Sequence, residues 1–192
     1  MDIIQIKNHK MKKIFILILI LVSINTFSQD LVKDSEKTET KMESFASKTG
    51  VITKFTDINL DKLKSSYTVA ETRIRKISSG NTERYFYQIE KPNEYENSTA
   101  SIEYSDLLEV IKALNSLKSE VESDIRSDPD YMENKFITED GFQLGYYITK
   151  GKATWYLKLE KYGSDKTLFI NDLEKIERNF LDAKNKIEEL KI

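Results

Sequence analysis

Leu173, Ile176, Phe180, Ala183, Ile187 and Leu190 recur at spacings of three and four. That is one stripe of an α-helix, and a stripe this apolar has to be laid on something equally apolar. A second stripe runs through Leu107, Val110, Ile111, Leu114, Leu117 and Val121. At about 1.5–3 kcal/mol of gross burial per side chain, each seam represents roughly 9–18 kcal/mol that only a covering layer can supply. The rest of the chain offers strands as that layer. The expected fold is therefore α+β, with antiparallel sheet and two helices, each following its own set of strands.

The strand signals are residues 51–55, 68–77, 84–91 and 100–104 before the first helix, and 135–138, 142–149, 154–161 and 167–170 before the second. Arg73, Arg75 and Lys76 make 68–77 read as a poorly buried strand. Turn chemistry around Gly80, Gly151 and Gly163 separates neighbours. Asp106 with Glu109, and Asn171 with Glu174, fit the capping pattern in which two side chains satisfy free backbone N–H groups. Residues 41–48 should make one or two helical turns on Met42, Phe45 and Ala46, with Gly50 beyond their end.

The two halves, about 51–126 and 135–190, can be laid on each other. YFYQIEK at 85–91 matches WYLKLEK at 155–161 at an offset of 70, and the turns and helix starts follow in the same order. This suggests a doubled strands-then-helix unit, neither half of which could close a core alone.

Upstream, Lys12 and Lys13 precede an apolar run at 14–22 and a short polar stretch ending at Ser28. That is the layout of a secretory signal peptide starting at Met11, with cleavage expected before Gln29. The apolar run falls short of the roughly 20 residues a spanning helix needs. The chain is thus expected to comprise an upstream extension and signal (1–28), a solvated tether (29–41) and a single domain (42–192), exported to the periplasm or beyond. The sequence has no Cys, and its one His is His9. The mature part then lacks the residues of His-based triads, Cys nucleophiles and His/Cys metal sites. Removing 1–28 leaves 26 basic and 31 acidic residues, a net charge of −5. This mild acidity gives no electrostatic reason to expect nucleic acid.

The leader together with ESFASKTG at 43–50 and SIEYSDLL at 101–108 resembles uncharacterised secreted proteins of the Bacteroidetes. That resemblance implies export and assigns no activity. In pattern alone, the doubled plan is similar to the whirly and transcriptional-coactivator fold, which implies a binder of single-stranded DNA; no sequence motif carries that likeness.

Candidate sites are few. Asp128, Asp130 and Glu133 could offer oxygens to Ca²⁺ but lack the glycine and spacing of an EF-hand loop, and a solvated turn explains them better. Glu90 and Glu160 hold equivalent positions in the two halves, so a carboxylate pair of the kind used by a hydrolase is conceivable; strand-end ion pairs explain them more simply. The aromatic strands are the best lead. Phe86 and Tyr156 fall on the face opposite the expected core, where they would meet solvent or a further layer and could stack on a sugar, a base or a peptide. No catalytic residue, metal or cofactor is assigned. The reading is an exported, non-catalytic binding or accessory protein for an unidentified ligand or protein partner, with a homodimer compatible. The alternatives are a whirly-like binder of single-stranded nucleic acid and a carboxylate-only hydrolase.

Overall fold

The computed structural model describes residues 39–160 and 166–192. The leader, most of the tether and the turn at Gly163 lie outside these residues. The elements run α1 (Lys41–Ala46), β1 (Thr53–Lys64), β2 (Val69–Ser79), β3 (Thr82–Lys91), β4 (Ser98–Glu103), α2 (Tyr104–Arg126), β5 (Met132–Ile137), β6 (Gln143–Thr149), β7 (Lys152–Lys158), β8 (Thr167–Ile170) and α3 (Leu173–Leu190). The strands form two antiparallel sheets in chain order, β1-β2-β3-β4 and β5-β6-β7-β8. The architecture is α+β as expected: four strands then a long helix, twice over.

One core takes residues from everything else. Ile74, Tyr87, Ile89 and Ile102 of the first sheet, Leu144, Tyr146, Leu157 and Leu168 of the second, and the buried stripes of α2 and α3 belong to a single apolar cluster. Leu107, Val110, Leu114 and Leu117 are the buried face of α2. Ile176, Phe180, Ala183 and Ile187 are that of α3. The Phe180 ring stands edge-on to Tyr87 at 6.0 Å and to Phe142 at 6.4 Å, so it touches the strand systems of both halves. The polar ends of this core are satisfied from within. The Tyr87 hydroxyl donates to Asn179 Oδ1, and Asn179 Nδ2 donates to the Asp61 carbonyl at 3.0 Å. Burial drives the Tyr87 hydroxyl far above its ordinary pKa, so it stays a neutral donor.

Two sheet edges are closed by the opposite half. The Thr99 N–H on β4 donates to Glu160 Oε1 at 3.0 Å. The Phe169 carbonyl on β8 accepts from the Ser66 N–H at 2.8 Å and its hydroxyl at 2.9 Å. Each contact satisfies an edge group that would otherwise be open to another chain.

Several local expectations fail for identifiable reasons. β2 is well buried on one side: Ala70, Thr72 and Ile74 face the main core, while Arg73, Arg75 and Ile77 lie on the opposite face, where the arginines meet acids and Ile77 is buried with Phe86 and Phe45. β1 runs nine residues further than residues 51–55 suggest, because Asp57 is held across the ladder by Arg75 at 2.6 Å. Neither helix uses the expected capping side chains. α2 starts directly from β4, with Glu103 at its N-cap and no side-chain cap bond. Asp106 instead receives the Lys41 ammonium at 2.7 Å. α3 is entered one residue later than expected, at Asp172, again with no side-chain cap bond. A capping box does form at α1, where Thr40 and Glu43 satisfy each other's backbone N–H.

The ring of Phe180 is fully buried. Phe180→Ala should therefore cost about 3–5 kcal/mol, read as a lower urea midpoint with an unchanged denaturant slope.

Candidate binding face

The outer faces of the two sheets, those turned away from the shared core, differ in kind. On the first sheet Asp57, Arg73, Arg75, Gln88, Glu90 and Ser101 fall on this face by register. They are bonded to one another. Arg75 grips Asp57 at 2.6 and 2.7 Å, Arg73 pairs with Glu90 and donates to Gln88 at 2.8 Å, and Gln88 donates to Ser101 at 2.8 Å. The Arg75 guanidinium holds the Asp57 carboxyl below the usual carboxylate range, and Arg73 does the same for Glu90.

Phe86 lies on this face but does not meet solvent. It is fully buried with Ile77 and Phe45, because α1 folds across that corner and Met42 packs beside it. α1 is tied down by Lys41, whose N–H donates to both Asp140 oxygens at 3.1 Å while its ammonium holds Asp106. Of the two outcomes expected for Phe86, solvent or a further layer, the second holds: the layer is the chain's own first helix, which closes this ring to a ligand.

The outer face of the second sheet carries Tyr147, Tyr156 and Phe169. Tyr156 is also buried, only 6 % exposed, which corrects the solvent-facing outcome for this ring as well. Its hydroxyl donates to Glu133 Oε1 on β5 at 2.6 Å. To reach β5 from β7 the ring must cross β6, and its direct partner there is Gly145, which puts no side chain in the way. Room is absent: a Cβ at position 145 would lie 2.5 Å from the Asn134 carbonyl oxygen. Desolvation raises the Tyr156 hydroxyl, and its hydrogen bond lowers the Glu133 carboxyl, so the pair stays a neutral donor on an ionised acceptor.

The aromatics left accessible are ones the sequence reading did not single out. Tyr131, 64 % exposed, stacks on half-buried Tyr147 with centroids 6.4 Å apart and planes at 22°. Tyr67, 88 % exposed, stands edge-on to Phe169 at 6.4 Å. Half-buried Gln143, Thr154 and Lys158 lie between these two ends on the same face. The alternation of residues 143–149 put Tyr147 on this face, but Tyr131 sits in what reads as a loop and Tyr67 in a turn. Their placement beside the sheet is set by the fold.

The acids do not assemble a catalytic pair. Glu160 reaches Thr99, the cross-strand partner of Glu90, so the two are brought near each other. Both are held by cations, Glu90 by Arg73 and Glu160 by Lys166. Arg73 holds the Glu90 carboxyl below the usual carboxylate range, the opposite of the raised acid that glycoside hydrolysis needs. Glu133 of the proposed oxygen cluster is committed to Tyr156 and to Lys135 at 2.9 Å. Among the described residues no group of three or more potential ligands could hold a metal ion. A shallow groove of about 340 Å³ lies between α2 and β5, lined by Glu109, Ala113, Ser116, Leu117, Glu120 and Phe136 among others. Its two acids are eleven residues apart on one helix, about 16 Å by the helical rise, too far to act together. Also among the described residues, no helix is long and apolar enough to cross a membrane.

With this geometry in hand, the chain was compared with known proteins: no family model, curated protein or solved structure matches it.

Two outcomes test the anatomy of these faces. Gly145→Ala should destabilise the fold by about 1–3 kcal/mol, because the atom it meets is backbone and β5 must shift; the same change should loosen Tyr156, read as faster hydrogen exchange in β5 and β7. The second outcome concerns acid. Asp57, Glu90 and Glu133 all have folded pKa values below their unfolded ones. Their stabilisation is complete above about pH 4–5 and is lost as pH falls through the depressed folded values. Glu90→Gln should lower the urea midpoint at neutral pH and make its decline below pH 4 shallower.

Proposed function

We propose that this chain is an exported, non-catalytic binding protein that uses the outer face of its second sheet to hold a ring-bearing, uncharged ligand, with a glycan chain as the best-fitting class. The observation that carries this is the Tyr131–Tyr147 pair, two stacked rings beside a sheet face, one of them largely open to solvent. Such rings present flat apolar area at low entropic cost, and sugars stack on them. Gln143, Thr154 and Lys158 supply hydrogen-bonding groups alongside. Glu133 is ion-paired with Lys135, and Lys152 and Lys158 on the same face add ammonium donors for sugar hydroxyls. The leader supports export, and the ion-paired acids support a role without catalysis.

A second reading has its own support. The order of four strands then a helix, twice, is the plan expected of a duplicated whirly-like unit, and aromatic sheet faces stack bases as readily as sugars. The net charge of −5 and the export signal weigh against it.

A glycan array and a gel shift at low salt with a mixed-sequence oligonucleotide separate the two. Glycan retention without an oligonucleotide shift is expected. Tyr131→Ala and Tyr147→Ala should each weaken glycan binding by about threefold to tenfold while leaving the thermal midpoint of Tyr131→Ala unchanged, since a stacking contact is worth about 0.5–1.5 kcal/mol. An oligonucleotide shift abolished by the same changes would transfer the proposal to the second reading.

A further inference from the structure

Of the four outer sheet edges, β4 and β8 are closed by Glu160 and Ser66. β1 is long but interrupted by a register shift between Leu60 and Leu63, which blunts it. β5 is different. It is short, regular and unbulged, and its pattern alternates half-buried Met132, Asn134 and Phe136 with exposed Glu133, Lys135 and Ile137.

The backbone of β5 is set up to accept another strand. The Thr138 N–H donates to the Phe142 carbonyl at 2.9 Å, and the Phe142 N–H returns a bond to the Thr138 hydroxyl at 3.1 Å, so the Thr138 amide faces β6. Antiparallel ladders alternate, so Phe136 and Asn134 also bond to β6, while the amide groups of Glu133, Lys135 and Ile137 face away from it. The side chains then specify what fits. If a second β5 is laid antiparallel with Asn134 on the twofold axis, Glu133 falls opposite Lys135 of the second copy, and Lys135 opposite Glu133. Tyr131 falls opposite Ile137, and Met132 opposite Phe136. Each of these pairs shares a face of the sheet, and the outward-facing amides of 133 and 135 meet each other. Tyr131 and Ile137 are both large exposed apolar residues, 64 % and 49 % open. On the core side, the groove beside β5 is lined by Ala113, Ser116 and Leu117 of α2 and by Phe136, the residue that Met132 of the second copy would meet.

We infer that the chain forms a twofold homodimer by antiparallel pairing of β5 with β5 of a second copy, centred on Asn134, which joins the two second sheets into one of eight strands. The interface is isologous and self-complementary in charge, apolar contact and backbone register at once. β1 has no such match: Lys54 and Asp57 lie on opposite faces of that strand. The inference does not rest on the nature of the ligand.

Charge swaps test it, with sedimentation velocity on protein recovered after export. The unaltered chain should sediment as a dimer that dissociates on dilution. Glu133→Lys and Lys135→Glu should each place two like pairs across the axis and weaken the dimer by about tenfold or more. Glu133→Lys also removes the acceptor of Tyr156, so its fold is checked by circular dichroism, and rescue supplies the independent readout. Mixing the two single variants restores opposite charges at all positions and should give a heterodimer. The double swap should restore the homodimer. A monomer at every concentration overturns the inference, as does a dimer indifferent to the swaps or singles that fail to recover on mixing.

Discussion

The whole described unit turns on one ring. Phe180 meets Tyr87 from the first sheet and Phe142 just ahead of β6 in the second half, so the last helix closes both halves at the same place. Neither four-stranded sheet could bury its inner face alone, since each leaves one side apolar. Laying α2 and α3 between them lets two modest sheets share one core. The same arrangement forces polar groups into that core, and they are answered locally: Tyr87 by Asn179, and Tyr146 by Asp124 at 2.5 Å, with the Tyr146 hydroxyl pushed up to about 12 chiefly by burial. A buried hydroxyl that stays protonated keeps its hydrogen bond over the whole range in which the acids remain charged.

The architecture could be read from the sequence because its signals are periodic. Apolar positions at 3.6-residue spacing placed both long helices, and alternation between turn residues placed seven of the eight strands nearly where they lie. What stayed hidden depended on partners distant in sequence. Residues 51–55 mark only the start of β1, because the stretch after them carries Asp57, Asn59, Asp61 and Lys62, types depleted in strands, and Asp57 is held by Arg75 across the ladder. Asp106 and Glu109 carry a capping pattern, yet Asp106 is taken by Lys41, sixty-five positions away. Capping is a local rule that loses when a strand runs straight into a helix.

The candidate face shows the same limit. Phe86 and Tyr156 lie on the faces that alternation assigned them, but alternation says nothing about what covers a face. Phe86 is roofed by a six-residue helix, and Tyr156 lies down across the one glycine of β6. The rings that remain open beside the second sheet, Tyr131 and Tyr67, come from segments with no period to read.

The two outer faces therefore have opposite chemical meaning. On the first sheet the charged and polar groups are matched within the face: Arg75 by Asp57, Arg73 by Glu90, and neutral Gln88 by Ser101. A ligand arriving there would have to break bonds already made, and would leave partly buried charges unpaired. On the second sheet Glu133 answers both the Tyr156 hydroxyl and the Lys135 ammonium, while Gln143, Thr154 and Lys158 lie alongside. Rings at either end stay accessible, and a ligand has little to displace but water. Two sheets that share a core thus divide the remaining labour by their wet sides: one is saturated and holds the fold together, and the other keeps its stacking surface free.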